Sequence, residues 1–173
     1  SWLALMVPYS LIFFLIDSAV VWRVINWFNA RVSYADILPV RASTYLLSIL
    51  NEQLGQGAMA VYLHRREGVP GWKLGPSLLF IMVCEIYYLA GWANVGIALQ
   101  WDSLPELFHW LPIVGLVMLA LFAVGYLYFR GVILPDNGLR ERHLLDAFRQ
   151  ATLKNYLITI AIRSPALLIA VFV

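Results

Sequence analysis

The stretch RASTYLLSILNEQLGQGAMAVYLHRR, from Arg41 to Arg66, is apolar at both ends, polar in the middle and bracketed by basic residues. An ionised carboxylate near the centre of a bilayer costs from roughly 3 to more than about 10 kcal/mol, so an acid and amide cluster there should face protein or water. We predict a broken, re-entrant segment, and a single polar-lined helix packed inside a bundle is the alternative. The polar middle supplies two glycines for the break, Gly55 and Gly57, and four candidate substrate-binding residues, Asn51, Glu52, Gln53 and Gln56.

The composition is that of an integral membrane protein. Of the 173 residues, 62% are hydrophobic, against about 45–50% in soluble domains. Several apolar runs approach the roughly 20 residues that a helix needs to cross a bilayer, and none alternates with the period of two typical of a barrel strand. The fold class is therefore all-α. The net charge of +2 is too small to indicate nucleic acid, and the single cysteine, Cys84, provides neither a disulfide framework nor a paired metal-thiolate motif.

Three runs are long and apolar enough for full spans, namely Trp2 to about Ile25, Leu74 to about Leu99, and Trp110 to Phe129. Asp17 lies inside the first span, where we expect it to snorkel or to bond to a neighbouring helix. The chain lacks an initial methionine and stops within an apolar run at Val173. We therefore expect residues 1–173 to form a single transmembrane domain that is a fragment of a longer protein.

The charges of the connecting segments favour the re-entrant interpretation. The connections at residues 23–41, 64–73 and 130–154 are basic, whereas the one at residues 100–109 is acidic. If residues 42–63 crossed the membrane, two adjacent basic connections would lie on opposite sides, against the tendency of basic loops to be cytoplasmic. Four arginines either orient the chain or attract anionic headgroups, and both interpretations stay open for Arg41, Arg65, Arg66 and Arg149.

An internal repeat supports the same architecture. An ungapped shift of 108 residues aligns Trp2 with Trp110 and places Gly55-Gln56-Gly57 onto Arg163-Ser164-Pro165. Because proline removes a backbone donor and clashes with the preceding turn, we predict a second re-entrant helix broken at this proline. Broken helices in repeats are a recurring design of secondary transporters. The two parallel copies would cover residues of about 1–108 and, incompletely, 109–173.

Arg163 is expected to find a partner inside the membrane. An unpaired arginine in a buried half-helix is costly, so it should bind a carboxylate or a lipid phosphate. The repeat places Arg163 opposite the glycine break, next to Glu52, and Glu85 on the neighbouring span is the other candidate. We predict that Arg163 lies within salt-bridge reach of Glu52 or Glu85, or faces a headgroup-sized polar cavity that both acids line.

The order of these features resembles a known family. The run from Val21-Trp22-Arg23 through Val40-Arg41 to Asn51, followed by a glycine-rich break and by Arg65-Arg66, is similar to the membrane region of lysylphosphatidylglycerol synthases. Stand-alone flippase-like proteins are similar to that region. The resemblance implies a helical membrane domain that moves lysyl-lipids or polyprenyl-linked precursors between leaflets. Because no aminoacyl-transferase domain is present, the resemblance does not imply synthase activity.

Enzyme motifs are not found. His64, His109 and His143 fall in three different connections. The sequence contains no HExxH, Walker, dinucleotide-binding or nucleophile-elbow pattern. We therefore expect no catalysis, no metal and no cofactor. Two functions follow from the pattern. The first is a lipid translocator with a polar groove; the second is a non-transporting structural subunit of a larger membrane complex. The expected partners are membrane lipids or other membrane subunits, without nucleic acid, and the expected location is the bacterial inner (cytoplasmic) membrane.

Overall fold

The computed structural model describes residues 2–50, 52–133 and 143–172, with side chains over 5–47, 57–59, 61–65, 68–133 and 143–169. These residues are almost entirely helical, and none of the described residues lies in a strand. Short 3₁₀ turns lie at residues 101–103, 106–110 and 143–145. The α-helices are α1 (Trp2–Phe28), α2 (Tyr34–Leu50), α3 (Glu52–Glu67), α4 (Gly71–Leu99), α5 (Leu111–Phe129), α6 (Asp146–Gln150) and α7 (Leu153–Phe172).

Three helical segments are long and apolar enough to cross a membrane: Leu5–Phe28, Gly71–Leu99 and Glu106–Phe129. They coincide with the three predicted full spans, so the prediction of an all-helical protein with three apolar spans is confirmed. Most side chains of these three segments are not buried within the chain. Such exposure is typical of lipid contact, because apolar side chains gain nothing from burial when the surrounding solvent is hydrocarbon. In α5, none of the 19 residues is buried.

Contacts between side chains fix the directions of the long helices. Asn29 Nδ2, just beyond α1, donates to Ser77 Oγ near the start of α4 over 2.6 Å, so α1 and α4 are antiparallel neighbours. The rings of Phe80 and Tyr156 lie 4.8 Å apart, and further along the same two helices Glu85 pairs with Arg163. Helix α7 therefore runs parallel to α4.

Helix α5 returns along α4 in the opposite direction, since the rings of Tyr87 and Phe122 lie 5.2 Å apart and Asn94 packs against Gly115. The C-termini of α1 and α5 and the N-termini of α4 and α7 consequently share one end of the bundle. We call it the basic end, because its connections carry Arg31, Lys73, Arg130, Arg149 and Lys154. The connection at the other end, residues 100–110, carries Asp102 and Glu106 and no lysine or arginine.

Helices α2 and α3 form an antiparallel hairpin. Arg41 Nη1 of α2 lies 4.0 Å from Met59 Sδ of α3, and α2 ends at Leu50 while α3 begins at Glu52. The apolar side of the hairpin joins the core through buried Ile37 and Leu63. The hairpin leaves the bundle after α1 and rejoins it at α4, so both of its ends lie at the basic end.

The predicted positions of the helix breaks are wrong. Gly55 and Gly57 lie inside α3, which begins at Glu52, whereas α2 ends at Leu50. A glycine inside a helix costs only about 1 kcal/mol relative to alanine, which tertiary packing offsets. Likewise α7 continues through Pro165, as other helices do through Pro8 and Pro76. Proline is tolerated in apolar helices because neighbouring groups can satisfy the carbonyl that it frees.

The helix boundaries do not follow the proposed repeat of 108 residues. That shift places Leu50 and Glu52, where α2 ends and α3 begins, onto Ile158 and Ile160, inside the continuous helix α7. It also places the continuous helix α2 onto the segment in which α6 ends and α7 begins. The shift does place α1 onto α5, so the order of the helices agrees with the repeat in its first span and departs from it after that.

The first prediction concerns the hairpin. In a Cys84→Ala background, which removes a buried thiol, Arg31→Cys and Arg65→Cys should both react with a membrane-impermeant maleimide from the same side of sealed vesicles. Both positions are exposed and flank the hairpin. Asp102→Cys, at the other end of the bundle, serves as the control and should react only from the opposite side. Labelling of Arg31→Cys and Arg65→Cys from opposite sides would exclude a hairpin with both ends on one face.

Aromatic packing holds the short helix α6 at the basic end. The fully buried ring of Phe80 in α4 lies 5.3 Å from that of Phe28 and 5.8 Å from that of Phe148 in α6. Phe129, at the end of α5, stacks on Phe148 from the other side at 5.6 Å. These edge and offset contacts fix ring positions as well as burying area. They hold the polar side chains of α6 against the first turns of α4.

Candidate functional site

Four charged side chains from four helices meet inside the bundle. Arg163 of α7 donates from Nη2 to Asp17 Oδ1 of α1 over 2.7 Å, and its Nη1 lies 2.8 Å from Glu85 Oε1 of α4. Arg41 of α2 pairs with Asp17 Oδ2. We call Asp17, Arg41, Glu85 and Arg163 the charge cluster. Two acids and two bases give it a formal charge of zero.

Asp17 is the centre of the charge cluster. Its side chain is only 10% exposed, and in addition to both guanidinium groups it accepts a hydrogen bond from the Tyr45 hydroxyl at 3.0 Å. A carboxylate in a weakly polar surrounding is stable only when its charge is paired and its lone pairs are hydrogen-bonded. The three donors, from α2 and α7, provide this for Asp17 and tie the hairpin to the rest of the bundle.

The charge cluster lies near the middle of the apolar spans. Glu85 is midway between Gly71 and Leu99, the ends of α4, which places it about 20 Å along the axis from either end at 1.5 Å per residue. Asp17 lies well inside the apolar segment Leu5–Phe28. Ionisable residues at this depth are rare and are typical of substrate paths, proton relays and internal ion pairs.

A cleft of about 130 Å³ opens beside the charge cluster between α1, α4 and α7. Aromatic rings form much of its wall, and the charged groups Asp17, Glu85 and Arg163 lie on one side. Glu85 has 46% of its side chain exposed, against 12% for Arg163. The cleft has room for a few water molecules or one small ionic group, and Glu85 is the charged side chain that it exposes most.

The structure brings together some of the predicted site residues. The predicted ion pair between Arg163 and Glu85 is confirmed. Asn51 lies outside the described residues, and the side chains of Glu52, Gln53 and Gln56 also lie outside the described part of the chain, so their part in a site stays a prediction.

The basic residues predicted for topology or headgroup binding separate into two groups. Arg41 does not lie at a membrane surface, because its guanidinium pairs with Asp17 inside the bundle and is 17% exposed. That corrects both interpretations of this residue. Arg149 lies at the basic end and pairs with Asp146 at 3.1 Å. Arg65 is exposed near the end of α3, and the side chain of Arg66 lies outside the described residues.

Asp17 is the site residue that the sequence reasoning left out of the predicted site. A bond from Asp17 to a neighbouring helix was expected, and the structure shows three such bonds, from Arg41, Tyr45 and Arg163. Asp17 can be identified from the sequence by matching the arginines inside the bundle with the acids available to pair with them. Arg41 and Arg163 both lie in helices that pack inside the bundle, and each needs a carboxylate. Asp17 and Glu85 are the acids inside the predicted full spans.

Within the described residues, no three His, Cys, Asp or Glu side chains lie close enough together to bind a metal ion. Comparison with known proteins identifies no relative, since no family model, curated protein or solved structure matches this chain. The function is therefore inferred from the charge cluster and its surroundings.

Proposed function

We propose that this chain is a flippase-like lipid translocator, which moves a polar-headed or polyprenyl-linked lipid between leaflets. The observation that supports this proposal is the charge cluster in the middle of the apolar spans, with Glu85 half exposed in a cleft between α1, α4 and α7. A polar headgroup that crosses the bilayer needs partners at the depth where hydration is lost. The charge cluster offers such partners at that depth.

The pair formed by Glu85 and Arg163 is suited to exchange with a headgroup. Arg163 can release Glu85 from Nη1 while Nη2 stays on Asp17. Asp17 also keeps Arg41 and Tyr45 as partners, so the buried carboxylate is never left alone. A headgroup phosphate can then bind Arg163, while a headgroup amine or hydroxyl binds Glu85. Each new bond replaces one that is lost, which keeps the free energy of the intermediate close to that of the resting pair.

The apolar surfaces beside the cleft suit the acyl or prenyl chain of such a lipid. Next to Glu85 on α4, Met82, Ile86 and Leu89 are each about half exposed. A lipid can keep its tail on these faces, in the hydrocarbon, while its headgroup enters the cleft. The cleft is small, so we propose that α4 and α7 separate slightly during passage, with the bond between Glu85 and Arg163 as the contact that changes.

The orientation we propose places the basic end in the cytoplasm, following the tendency of lysine and arginine to remain on that side. Helices α2 and α3 then form a re-entrant element that enters and leaves on the cytoplasmic face. The charge distribution at the two ends of the bundle supports this orientation. We place the protein in a bacterial cytoplasmic membrane on the basis of the family resemblance.

A second candidate function is that of a structural subunit in a larger membrane complex. Two observations favour it. The formal charges of the cluster cancel, with both oxygens of Asp17 bonded, as in an internal knot that holds helices together. In addition, α5 exposes an apolar surface along its entire length, which can contact another subunit as well as lipid.

Glu85→Gln tests the proposed translocation. Glutamine keeps an acceptor for Arg163 but removes the charge that the cleft exposes, so lipid movement should fall at least about tenfold, which corresponds to roughly 1.4 kcal/mol in the barrier. The unfolding temperature in detergent should change little, because Arg163 keeps Asp17 as its carboxylate partner. The measurement is the rate at which fluorescent lipids with anionic, zwitterionic or cationic headgroups cross the membrane of proteoliposomes.

Glu106→Gln is the matched control, because it makes the same chemical change in an exposed turn outside the cleft. It should leave the rate unchanged. Equal rates for wild type and Glu85→Gln would contradict the assignment of the cleft as the lipid path. If the wild-type protein moved none of these lipids yet co-purified with a membrane partner, the structural-subunit function would be supported instead.

A further inference from the structure

A second and larger cleft, of about 490 Å³, lies at the basic end of the bundle. Its walls come from the end of α1, the first turns of α4 and the short helix α6 with the turn before it. Six of its lining residues carry the argument: Trp72, Lys73, Ser77, His143, Asp146 and Arg149. We call it the basic cleft.

The basic cleft carries an excess of positive charge. Asp146 is its acid, and both of its oxygens are in use: Oδ1 lies 3.1 Å from Arg149 Nη2, and Oδ2 lies 3.5 Å from His143 Nδ1. Lys73 has no carboxylate within salt-bridge reach in the part of the chain that the structure describes. Arg149 is 45% exposed despite its bond, so it keeps free N–H donors. Among the described residues that line the basic cleft, one acid therefore accompanies two permanent cations and a histidine.

The floor of the basic cleft is rigid. Ser77 is buried and accepts the hydrogen bond from Asn29, which holds α4 against α1. Ala147 and Phe148, next to Asp146, are buried in the aromatic core. The cations are therefore displayed from helices that hold their position, and a preorganised site loses less conformational entropy when a ligand binds.

The location of the basic cleft suits a group at the membrane surface. Trp72, at the start of α4, is 54% exposed and packs at 5.0 Å from the His143 ring and at 5.4 Å from Lys73 Nζ. Tryptophan at the end of an apolar span is typical of the headgroup level of a bilayer. Lys73 precedes Glu85 by twelve residues on α4, or about 18 Å along the axis, so this cleft is separate from the charge cluster.

We propose that the basic cleft binds a phosphate group, held between Lys73 and Arg149. Both side chains line the basic cleft, and guanidinium and ammonium groups are common partners of phosphate oxygens in proteins. The phosphate can belong to an anionic lipid headgroup of the same leaflet or to a soluble phosphate ester. This site does not depend on lipid translocation and would also be present in a structural subunit.

The test compares two double variants of the chain in detergent. Lys73→Gln with Arg149→Gln removes both cations of the basic cleft. Arg130→Gln with Lys154→Gln removes the same charge at the same end of the bundle, from exposed positions that do not line the cleft. The probes are short-chain phosphatidic acid and phosphatidylcholine with equal chains, and soluble glycerol phosphate and inorganic phosphate. Binding is measured by native mass spectrometry.

We expect wild type to bind phosphatidic acid, and the cleft variant to bind it at least about tenfold more weakly, the effect of losing two charge-assisted contacts. The control variant should bind within about twofold of wild type. Because Lys73 has no ion pair with a described residue to lose, the single change Lys73→Gln should weaken binding without lowering the unfolding temperature. If glycerol phosphate or inorganic phosphate competes with phosphatidic acid, the ligand is assigned as a soluble phosphate. If neither competes, the ligand is assigned as a lipid headgroup.

The proposal is overturned if the two double variants weaken binding equally, because general attraction of anions to a basic surface then explains the result. It is likewise overturned if phosphatidylcholine and phosphatidic acid bind wild type with the same affinity and neither soluble phosphate competes. Neither result depends on lipid movement, so failure of this site and failure of the proposed translocation are distinguishable.

Discussion

Asp17→Ala is expected to lower the free energy of unfolding by about 3–5 kcal/mol, the range measured when one partner of a buried ion pair is removed. The change leaves Arg41, which is 17% exposed, with the Tyr45 ring at 5.0 Å and Met59 Sδ at 4.0 Å as its remaining contacts. Neither contact compensates a full charge at this depth. The measurement is denaturant-induced unfolding of the purified chain in detergent micelles.

Two further variants show whether the loss of stability comes from the unpaired charge of Arg41 or from the substitution itself. Asp102→Ala removes an aspartate from an exposed turn and should stay within about 0.5 kcal/mol of wild type. Asp17→Ala combined with Arg41→Met removes the charge that the single change leaves unpaired, so it should recover part of the lost stability. If Asp17→Ala alone costs less than about 1 kcal/mol, Asp17 does not hold the hairpin to the bundle.

The three spans and the helical class were predictable because they depend on local properties of the sequence. A run of about 20 apolar residues has few stable alternatives to a helix across the bilayer. The ends of α1 and α4 differ from the predicted ends by only a few residues. The charge difference between the two ends of the bundle was equally readable, since it needs only the positions of the spans and of the lysines and arginines.

The helix interruption was placed wrongly because glycine and proline indicate where a helix is weak, and the packing around them decides whether it ends. Gly57 has open space around it and is not needed for close approach of another element. Pro165 follows Ser164, whose hydroxyl bonds to Ile160 O within the same helix at 2.9 Å. Neither position needs a break, and α2 ends before both of them, at Leu50.

In the charge cluster, the pair formed by Arg163 and Glu85 was predictable from the sequence, but the pairing of Asp17 with two arginines was not. Because an unpaired arginine in a bilayer is costly, Arg163 was expected to pair with one of the few acids near the apolar spans, and Glu85 is one of these acids. The sequence does not show that α1 lies between α2 and α7, and this arrangement lets one carboxylate, Asp17, pair with Arg41 and Arg163 together. Pairings at separations of 24 and 146 residues depend on the tertiary fold.

The second large effect is expected at Arg163, which bonds Asp17 and Glu85 with two nitrogens of one guanidinium. Arg163→Gln should cost about 3–5 kcal/mol, because it removes a cation that is 12% exposed and leaves Glu85 without a counter-charge. Arg163→Lys should recover only part of this, since a single ammonium cannot reproduce the planar fork that reaches both acids. Unfolding of each variant in detergent gives the values.

Double-mutant cycles then show which of the two bonds matters more. The coupling energy between Arg163 and Asp17 should exceed that between Arg163 and Glu85, because the Asp17 side chain is 10% exposed whereas that of Glu85 is 46% exposed. Exposed pairs contribute about 0–1 kcal/mol, and buried partners couple by up to about 3 kcal/mol. This order would leave Asp17 as the fixed anchor and Glu85 as the partner that a ligand can replace. The reverse order would make the bond to Glu85 the structural one, and the exchange proposed for the headgroup would then lose its physical basis.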